Sequence, residues 1–215
     1  MKLIDRALDF IFPPVCGICC KYEESYICKE CENKLKVFMN YNIREVNNKS
    51  YQKHLWLFRY EGIIRDIILD YKFNEKSYIY LAISKMIINN KEAIDFFKKA
   101  DYVIPVPIHK KRYKERGYNQ CNLVAKRISS ILNVKYLPNT LLKNKNTLPQ
   151  SSLNSLGRIE NIKEAFSVRK DVDFNGKTVI LFDDVYTTGS TVEECCKQLK
   201  ILGCRAINVF TIAKK

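Results

Sequence analysis

The sequence predicts an α/β protein in which a mainly parallel, twisted sheet is flanked by helices and preceded by a small cysteine-rich module. Apolar runs typical of buried strands are followed by helical patterns along residues 51–215, the order that gives parallel sheets. Two Cys-x-x-Cys pairs stand close together before them, at Cys16–Cys19 and Cys28–Cys31. We therefore expect an N-terminal helix and zinc-binding module in residues 1–50 and one α/β domain in residues 51–215.

The composition is that of a globular protein with a strong positive charge. Hydrophobic residues make up 47% of the 215 residues and charged residues 28%. No apolar segment approaches the roughly 20 residues of a membrane span. The net charge of +14 favours polyanionic partners such as nucleic acid or phosphorylated metabolites, although biased coding produces the same lysine-rich composition.

A short amphipathic helix is predicted over residues 3–11, ended by Pro13 and Pro14. Asp5, Arg6 and Asp9 interrupt what would be the apolar region of a signal peptide. We expect no export signal, a cytoplasmic location, and a helix that packs against its own domain rather than on a membrane.

The paired cysteines predict a structural zinc site. Thiolates are soft ligands that suit tetrahedral Zn²⁺, and Cys16, Cys19, Cys28 and Cys31 supply all four positions. Disulfides and unliganded core cysteines are the alternatives, and Cys20 could replace Cys19. The other cysteines, which lie in apolar helical patterns, are expected in the core, and no nucleophile is proposed; these residues are Cys121, Cys195, Cys196 and Cys204.

The middle of the chain alternates between strand and helix patterns. Predicted elements are a strand at 55–60, a helix at 63–73, a helix from 79 that breaks at 89–90 and resumes to 97, and a strand from 101 that enters a turn at Val106-Pro107. A helix opening at 117–120 has five residues predicted to face inward: Leu123, Val124, Ile128, Ile131 and Leu132. The polar segment 143–155 predicts a mobile surface loop.

A basic cluster follows the strand at 101–105. It comprises Lys110, Lys111, Arg112, Lys114 and Arg116. If this strand lies near the one that ends at Asp183, the cluster overhangs the same crevice and can neutralise a pyrophosphate. The alternative is a solvated basic loop.

The most informative stretch joins a buried strand to a helix through an acidic pair and a hydroxyl-rich turn. The strand at 179–182 is followed by Asp183 and Asp184, the turn spans 185–191, and the helix pattern runs to Gly203. A helix N-terminus binds phosphate, and adjacent carboxylates accept hydrogen bonds from sugar hydroxyls or hold Mg²⁺ through its waters. The alternative is an ordinary strand-to-helix turn with a Ser or Thr cap.

Residues 179–191 resemble the phosphoribosyl pyrophosphate (PRPP) signature of the type I phosphoribosyltransferases. With Pro105-Val106-Pro107, the segment 116–120, and a segment from Thr147 to Phe166, the sequence is similar to the ComF family of competence proteins. The resemblance implies a type I phosphoribosyltransferase-like fold with an N-terminal zinc module, in proteins associated with DNA uptake. Gly157 departs from the family pattern, which usually has an acidic or polar residue beside Arg158.

The resemblance also implies roles for individual residues. Asp183 and Asp184 would meet the ribose hydroxyls and Mg²⁺, Thr187 to Thr191 would hold the 5-phosphate, and Val106-Pro107 would form the pyrophosphate loop. The implied PRPP-binding residues are Asp183, Asp184, Val185, Tyr186, Thr187, Thr188, Gly189, Ser190 and Thr191. Val106, Pro107, Arg112 and Arg116 would face pyrophosphate, and Thr147, Gln150 and Arg158 would belong to the mobile loop.

Two functions are compatible with these implications. The first is a PRPP-binding accessory protein of DNA uptake in natural competence, with single-stranded DNA and a competence helicase or another uptake component as partners. The alternative is an active phosphoribosyltransferase of nucleotide or cofactor metabolism that releases pyrophosphate from PRPP. No segment identifies a phosphoribosyl acceptor, and His54 and His109 lack a motif that would mark a base or ligand.

Overall fold

The computed structural model describes residues 14–146, 164–169 and 172–215. The helices are α1 (Lys29–Lys36), α2 (Gly62–Phe73), α3 (Ile79–Ile88), α4 (Lys91–Lys98), α5 (Lys110–Arg116), α6 (Gln120–Leu132) and α7 (Ser190–Lys200). The strands are β1 (Met39–Glu45), β2 (Lys53–Arg59), β3 (Tyr102–Pro105), β4 (Lys135–Tyr136), β5 (Leu141–Lys143), β6 (Phe166–Val168), β7 (Thr178–Tyr186) and β8 (Ala206–Lys214).

Six strands form one sheet in the order β1-β2-β8-β7-β3-β4. Only β1 and β2 pair antiparallel among them, and the other four pairings are parallel. A separate antiparallel ribbon joins β5 to β6. The predicted α/β fold with a mainly parallel sheet is confirmed.

The sheet is covered on both faces, which explains the unbroken apolar runs of its central strands. Successive residues of a strand point to opposite faces. Ile180 and Phe182 therefore join a core cluster with residues of α2, α3, α4 and α6, whereas Val179 and Leu181 join a second cluster with α7 and the β5–β6 ribbon. The end of β7 consequently lies between two packed layers.

The cysteine-bearing segment packs on the first of these core clusters. Cys16, Ile27, Cys31 and Leu35 are buried within it. Strand β1 also belongs to residues 1–50, and it extends the main sheet by pairing with β2. The division of the chain at residue 50 stays a prediction.

Four details differ from the sequence predictions. Strand β1 was not predicted, because five of its seven residues are exposed and polar residues dominate it. The basic cluster, for which no secondary structure was predicted, forms helix α5. Ile131 is 46% exposed, so its predicted inward orientation is wrong. The predicted loop at 143–155 begins later, because Lys143 ends β5.

Two further predictions concern the N-terminal segment and membrane-spanning helices. The predicted helix at 3–11 lies outside the described residues. Within the described ranges, no helix combines the length and the apolar character that crossing a bilayer requires.

Candidate functional site

The acidic pair lies at the carboxyl end of β7, between the neighbouring strands β8 and β3. Both side chains are largely withdrawn from solvent, with Asp183 8% and Asp184 4% exposed. Two adjacent carboxylates are costly to bury unless cations or hydrogen-bond donors face them. The partners of the pair therefore define the chemistry of the site.

Asp184 is held by one residue from each of two helices. Lys72, near the end of α2, places its Nζ 2.7 Å from Asp184 Oδ1. Gln120, the first residue of α6, donates through Nε2 to Asp184 Oδ2 over 2.6 Å. Both oxygens of this carboxylate thus accept a hydrogen bond from the protein.

Asp183 meets weaker partners. Its Oδ1 accepts a hydrogen bond from the Asp184 backbone N–H at 2.9 Å and lies 3.6 Å from the thiol of Cys121. Burial, followed by the nearby charge of Asp184, raises the pKa of Asp183 to about 7. Burial also raises the pKa of the Cys121 thiol well above its ordinary value. In this environment a cation would favour the charged form of Asp183.

The Lys72 ammonium remains charged in spite of its burial. Its side chain is only 20% exposed, and burial alone lowers its pKa. The charge of Asp184 and the hydrogen bond to it outweigh burial and raise the pKa of Lys72 overall. A full positive charge therefore stands inside the acidic site.

The hydroxyl-rich turn begins helix α7. Thr188 Oγ1 and Ser190 Oγ lie 2.8 Å apart, and the Ser190 backbone N–H donates to Thr188 Oγ1 over 3.4 Å. Gly189 adopts a left-handed φ of +80°, and a Cβ on it would stand 2.2 Å from Tyr186 Oη. Only glycine fits between the Tyr186 ring and the turn.

Two contacts with the segment before β2 anchor this turn. Tyr186 Oη lies 3.1 Å from Tyr51 Oη. Ser50 donates through its backbone N–H and its hydroxyl to the Glu193 carboxylate, at 3.2 and 2.7 Å. Burial, then the hydrogen bond to Tyr186, raises the pKa of Tyr51. The position of the hydroxyl groups is thus set by residues far away in the chain.

The turn at Val106-Pro107 follows β3, beside the end of β7. The Val106 N–H donates to the Phe182 carbonyl at 2.9 Å, and the Val106 carbonyl accepts from Asn119 Nδ2 at 3.0 Å. These bonds place the turn against the strand that carries the acidic pair. The structure therefore brings Val106 and Pro107 to the same edge of the sheet as Asp183.

Helix α5 carries the two predicted arginines. Arg116 donates to Gln120 Oε1, and its guanidinium lies 5.5 Å from the centre of the Phe73 ring. Because Gln120 also binds Asp184, Arg116 reaches the acidic pair through one intermediate side chain. Burial lowers the pKa of Arg116, with the charge of Asp184 opposing it.

Arg112 lies on the same helix, half-buried. Burial lowers the pKa of the Lys143 ammonium, and the charge of Arg112 acts in the same direction. Arg112 therefore lies near the end of β5, where Lys143 stands. Thr147, Gln150 and Arg158 lie outside the described residues, so their place at the site stays a prediction.

The four paired cysteines form a second site. The Sγ atoms of Cys16, Cys19, Cys28 and Cys31 all lie within 4.8 Å of one another. Cys20 points elsewhere, with its Sγ 3.6 Å from Tyr78 Oη. All nine cysteines are free thiols. The arrangement could hold one tetrahedral metal ion such as zinc, and it excludes Cys20 from the ligand set.

One of these thiols is predisposed to act as a thiolate. Burial raises the pKa of Cys16, but hydrogen bonds with the backbone of Cys19, Cys28 and Ile18 and with the Cys19 side chain together outweigh burial and lower the pKa to about 7. A thiolate is the form of cysteine that binds a metal.

The structure also shows site residues that sequence reasoning missed. Lys72 was predicted only as part of a helix end, and Cys121 only as a core residue. Cys121, Asp183 and Asp184 place ligand atoms within 4.8 Å of one another. The carboxylates suit Mg²⁺, whereas the thiol does not. Because both oxygens of Asp184 already accept hydrogen bonds from Lys72 and Gln120, a magnesium ion would meet this pair through its waters.

The mainly parallel sheet, the acidic pair near the end of β7 and the hydroxyl-rich turn before α7 are the features that the resemblance to the phosphoribosyltransferases implies. Competence protein F from Haemophilus influenzae is 31% identical over 206 residues, covering 94% of this chain and 85% of that protein. The chain therefore belongs to the ComF family of competence proteins.

Two further proteins are similar to this chain. The DNA utilization protein YhgH of Escherichia coli is 27% identical over 158 residues, covering 72% of this chain and 69% of that protein. An adenine phosphoribosyltransferase structure from Trypanosoma brucei superimposes with a TM-score of 0.45 and 15% identity, covering 85% of this chain and 67% of that one. No protein-family model matches the chain.

Proposed function

We propose that this protein binds PRPP and serves as a phosphoribosyltransferase-like accessory factor of DNA uptake in natural competence. The observation that carries the proposal is the joining of a buried carboxylate pair to a hydroxyl-rich helix N-terminus at one end of β7. A sugar phosphate needs both parts, because its hydroxyls donate to carboxylates and its phosphate accepts from hydroxyl and backbone N–H groups.

The ligand would lie along the edge of the sheet. The 5-phosphate would meet the turn at Thr187 to Thr191, where helix α7 begins, and the ribose hydroxyls would meet Asp183 and Asp184. Pyrophosphate would extend toward Val106-Pro107, with Arg112 and Arg116 on α5 to balance its charge. Thr147, Gln150 and Arg158, which lie outside the described residues, remain predicted contributors to the site.

Two metals accompany this proposal. Zn²⁺ would be held by Cys16, Cys19, Cys28 and Cys31, whose sulfurs already converge, and would stabilise the module without catalysing a reaction. Mg²⁺ would arrive with PRPP and supply positive charge to the pyrophosphate. The chain's own contribution to leaving-group charge would come from the two arginines of α5.

Contact with DNA is supported by the net charge of +14 and by the names of the relatives, which refer to competence and DNA utilization. Helix α5 presents a concentrated basic surface, since none of its residues is buried. A single strand would bind through its phosphates to such a surface. A helicase or another uptake component would be the protein partner.

Calorimetric titration with PRPP, with and without Mg²⁺, tests the ligand. We expect saturable binding to the wild type and none to the double variant Asp183→Asn with Asp184→Asn. A matched control, Asp66→Asn with Asp95→Asn, changes two exposed carboxylates and is expected to bind like the wild type. Equal binding by both double variants, or no binding by the wild type, would contradict the proposal.

Fluorescence anisotropy with a labelled single strand tests the DNA contact separately. Affinity should fall steeply as salt rises, because phosphate contacts release counterions. Neutralising Lys110 and Lys111 on α5 should weaken binding more than neutralising Lys91 and Lys98 on α4, which are also exposed. If the single strand does not bind even at low salt, the proposed DNA contact is wrong, whereas the proposed PRPP binding is unaffected.

A further inference from the structure

We propose that Lys72 is a resident counter-cation of the acidic pair, so that PRPP binds here without needing a free divalent ion to neutralise Asp184. This inference rests on the proposed function and specifies how that site handles metal.

Lys72 occupies the place beside Asp184 that a metal would need. Its Nζ lies 2.7 Å from Oδ1, and Gln120 Nε2 lies 2.6 Å from Oδ2. Each carboxylate oxygen thus already faces a protein donor. A divalent ion that bound Asp184 directly would have to approach an ammonium group or displace it, and either process costs energy at such short range.

The lysine is held in place rather than resting there by chance. Its neighbour Tyr71 is fully buried and donates from Oη to the Gln120 carbonyl at 2.9 Å. Tyr118 Oη in turn donates to the Tyr71 carbonyl, and the two tyrosine rings stack with centres 5.6 Å apart. These contacts clamp the end of α2 to the start of α6, so Lys72 and Gln120 are presented to Asp184 together.

The charge of Lys72 matters because the ligand is a polyanion. A buried carboxylate pair alone would repel pyrophosphate, and most enzymes that face this problem use a metal ion. An ammonium group inside the site offsets part of the negative charge before the ligand arrives. Binding in the absence of free Mg²⁺ is the expected consequence.

The test is PRPP affinity measured calorimetrically at several Mg²⁺ concentrations, including excess chelator. Wild type should still bind PRPP in chelator, and its affinity should rise less with Mg²⁺ than that of Lys72→Met. Lys72→Met should bind about tenfold more weakly or worse in chelator, and added Mg²⁺ should restore most of the loss. Lys76→Met is the matched control, because Lys76 forms a 2.6 Å ion pair with Asp70 away from the acidic pair, and it should behave as wild type.

The inference would be overturned if Lys72→Met lost PRPP affinity by the same factor at every Mg²⁺ concentration. It would also be overturned if Lys72→Met lost no PRPP affinity in chelator. Lys72→Arg, which keeps the charge, should retain binding in chelator. If Lys72→Met does not fold, Lys72→Gln removes the charge while keeping a donor toward Asp184, and the same expectations apply.

A second readout separates this inference from the proposed function. Mn²⁺ alone, followed by electron paramagnetic resonance, reports metal binding without any sugar phosphate. Lys72→Met should bind Mn²⁺ at the acidic pair at least several times more tightly than wild type, and Asp183→Asn in that background should remove the gain. Equal Mn²⁺ binding by wild type and Lys72→Met refutes the counter-cation role, whereas failure of wild type to bind PRPP refutes only the proposed function.

Discussion

Replacing Gly189 by alanine tests how the hydroxyl-rich turn is built. Gly189 has a φ of +80°, and the added Cβ would stand 2.2 Å from Tyr186 Oη and 2.5 Å from Tyr186 Cζ. Neither distance is tolerable, so the tyrosine ring must move. Moving the ring breaks its hydrogen bond to Tyr51, which spans 3.1 Å.

The loss of folding stability in Gly189→Ala has two sources of known size. A left-handed backbone conformation costs a non-glycine residue roughly 1–2 kcal/mol. Loss of the bond between the two tyrosines adds about 1 kcal/mol. We expect Gly189→Ala to lower the free energy of unfolding by about 2–3 kcal/mol, which corresponds to a melting temperature lower by roughly 4–12 °C in a chain of this size.

Differential scanning calorimetry measures this loss, and Gly176→Ala is its control. Gly176 has a φ of +70°, but a Cβ there would meet nothing within 4 Å. Gly176→Ala should therefore lose only the free energy that the left-handed backbone conformation costs. The difference in melting temperature between the two variants then isolates the clash with Tyr186. PRPP affinity should fall in Gly189→Ala alone. Equal melting temperatures for the two variants would refute this account of the turn.

Two further outcomes test the other parts of the account. Cys28→Ser should lower both the zinc content, measured by mass spectrometry, and the melting temperature, because it removes a metal ligand. Cys20→Ser should change neither quantity. An unchanged melting temperature of Cys28→Ser would contradict the zinc site. The pKa of Asp183 is raised to about 7 in the folded protein, so between about pH 4 and pH 7 the folded state keeps a proton on Asp183 that the unfolded state releases. This proton stabilises the ligand-free fold at low pH, and the stabilisation is lost as pH rises from about 4 through 7. In denaturant titrations, the free energy of unfolding of Asp183→Asn should therefore rise relative to that of wild type, by on the order of a few kcal/mol, between pH 5 and pH 8. A difference between the two proteins that does not change with pH would refute the raised pKa of Asp183.

Much of the fold followed from local patterns. The apolar run at 179–182 is long enough to indicate a strand buried on both faces, and β7 has that environment. Polar Asn89 and Asn90 predicted a helix break, and the Asn90 side chain accepts from the Ala93 N–H to start α4. Such features depend on residues close together in the chain.

The parts that were missed depend on distant partners. Strand β1 carries a polar, exposed pattern and exists because β2 offers it an edge. Lys72 lies 112 positions before Asp184, so no local periodicity relates them. The spacing of apolar residues in α6 placed Ile131 on the buried side of the helix, but in the structure it is exposed near the helix end. Sequence patterns fix which elements form but not which charged side chains converge at the ends of the strands.

Phosphorus NMR of PRPP titrated with the protein shows directly whether the start of α7 binds the 5-phosphate. The account predicts that the 5-phosphate resonance shifts and broadens with wild type, and that Thr188→Ala with Ser190→Ala removes this response while the pyrophosphate resonances still respond. A 5-phosphate resonance that stays unchanged with wild type, or that responds equally with the double variant, would contradict the placement of the phosphate at the start of α7.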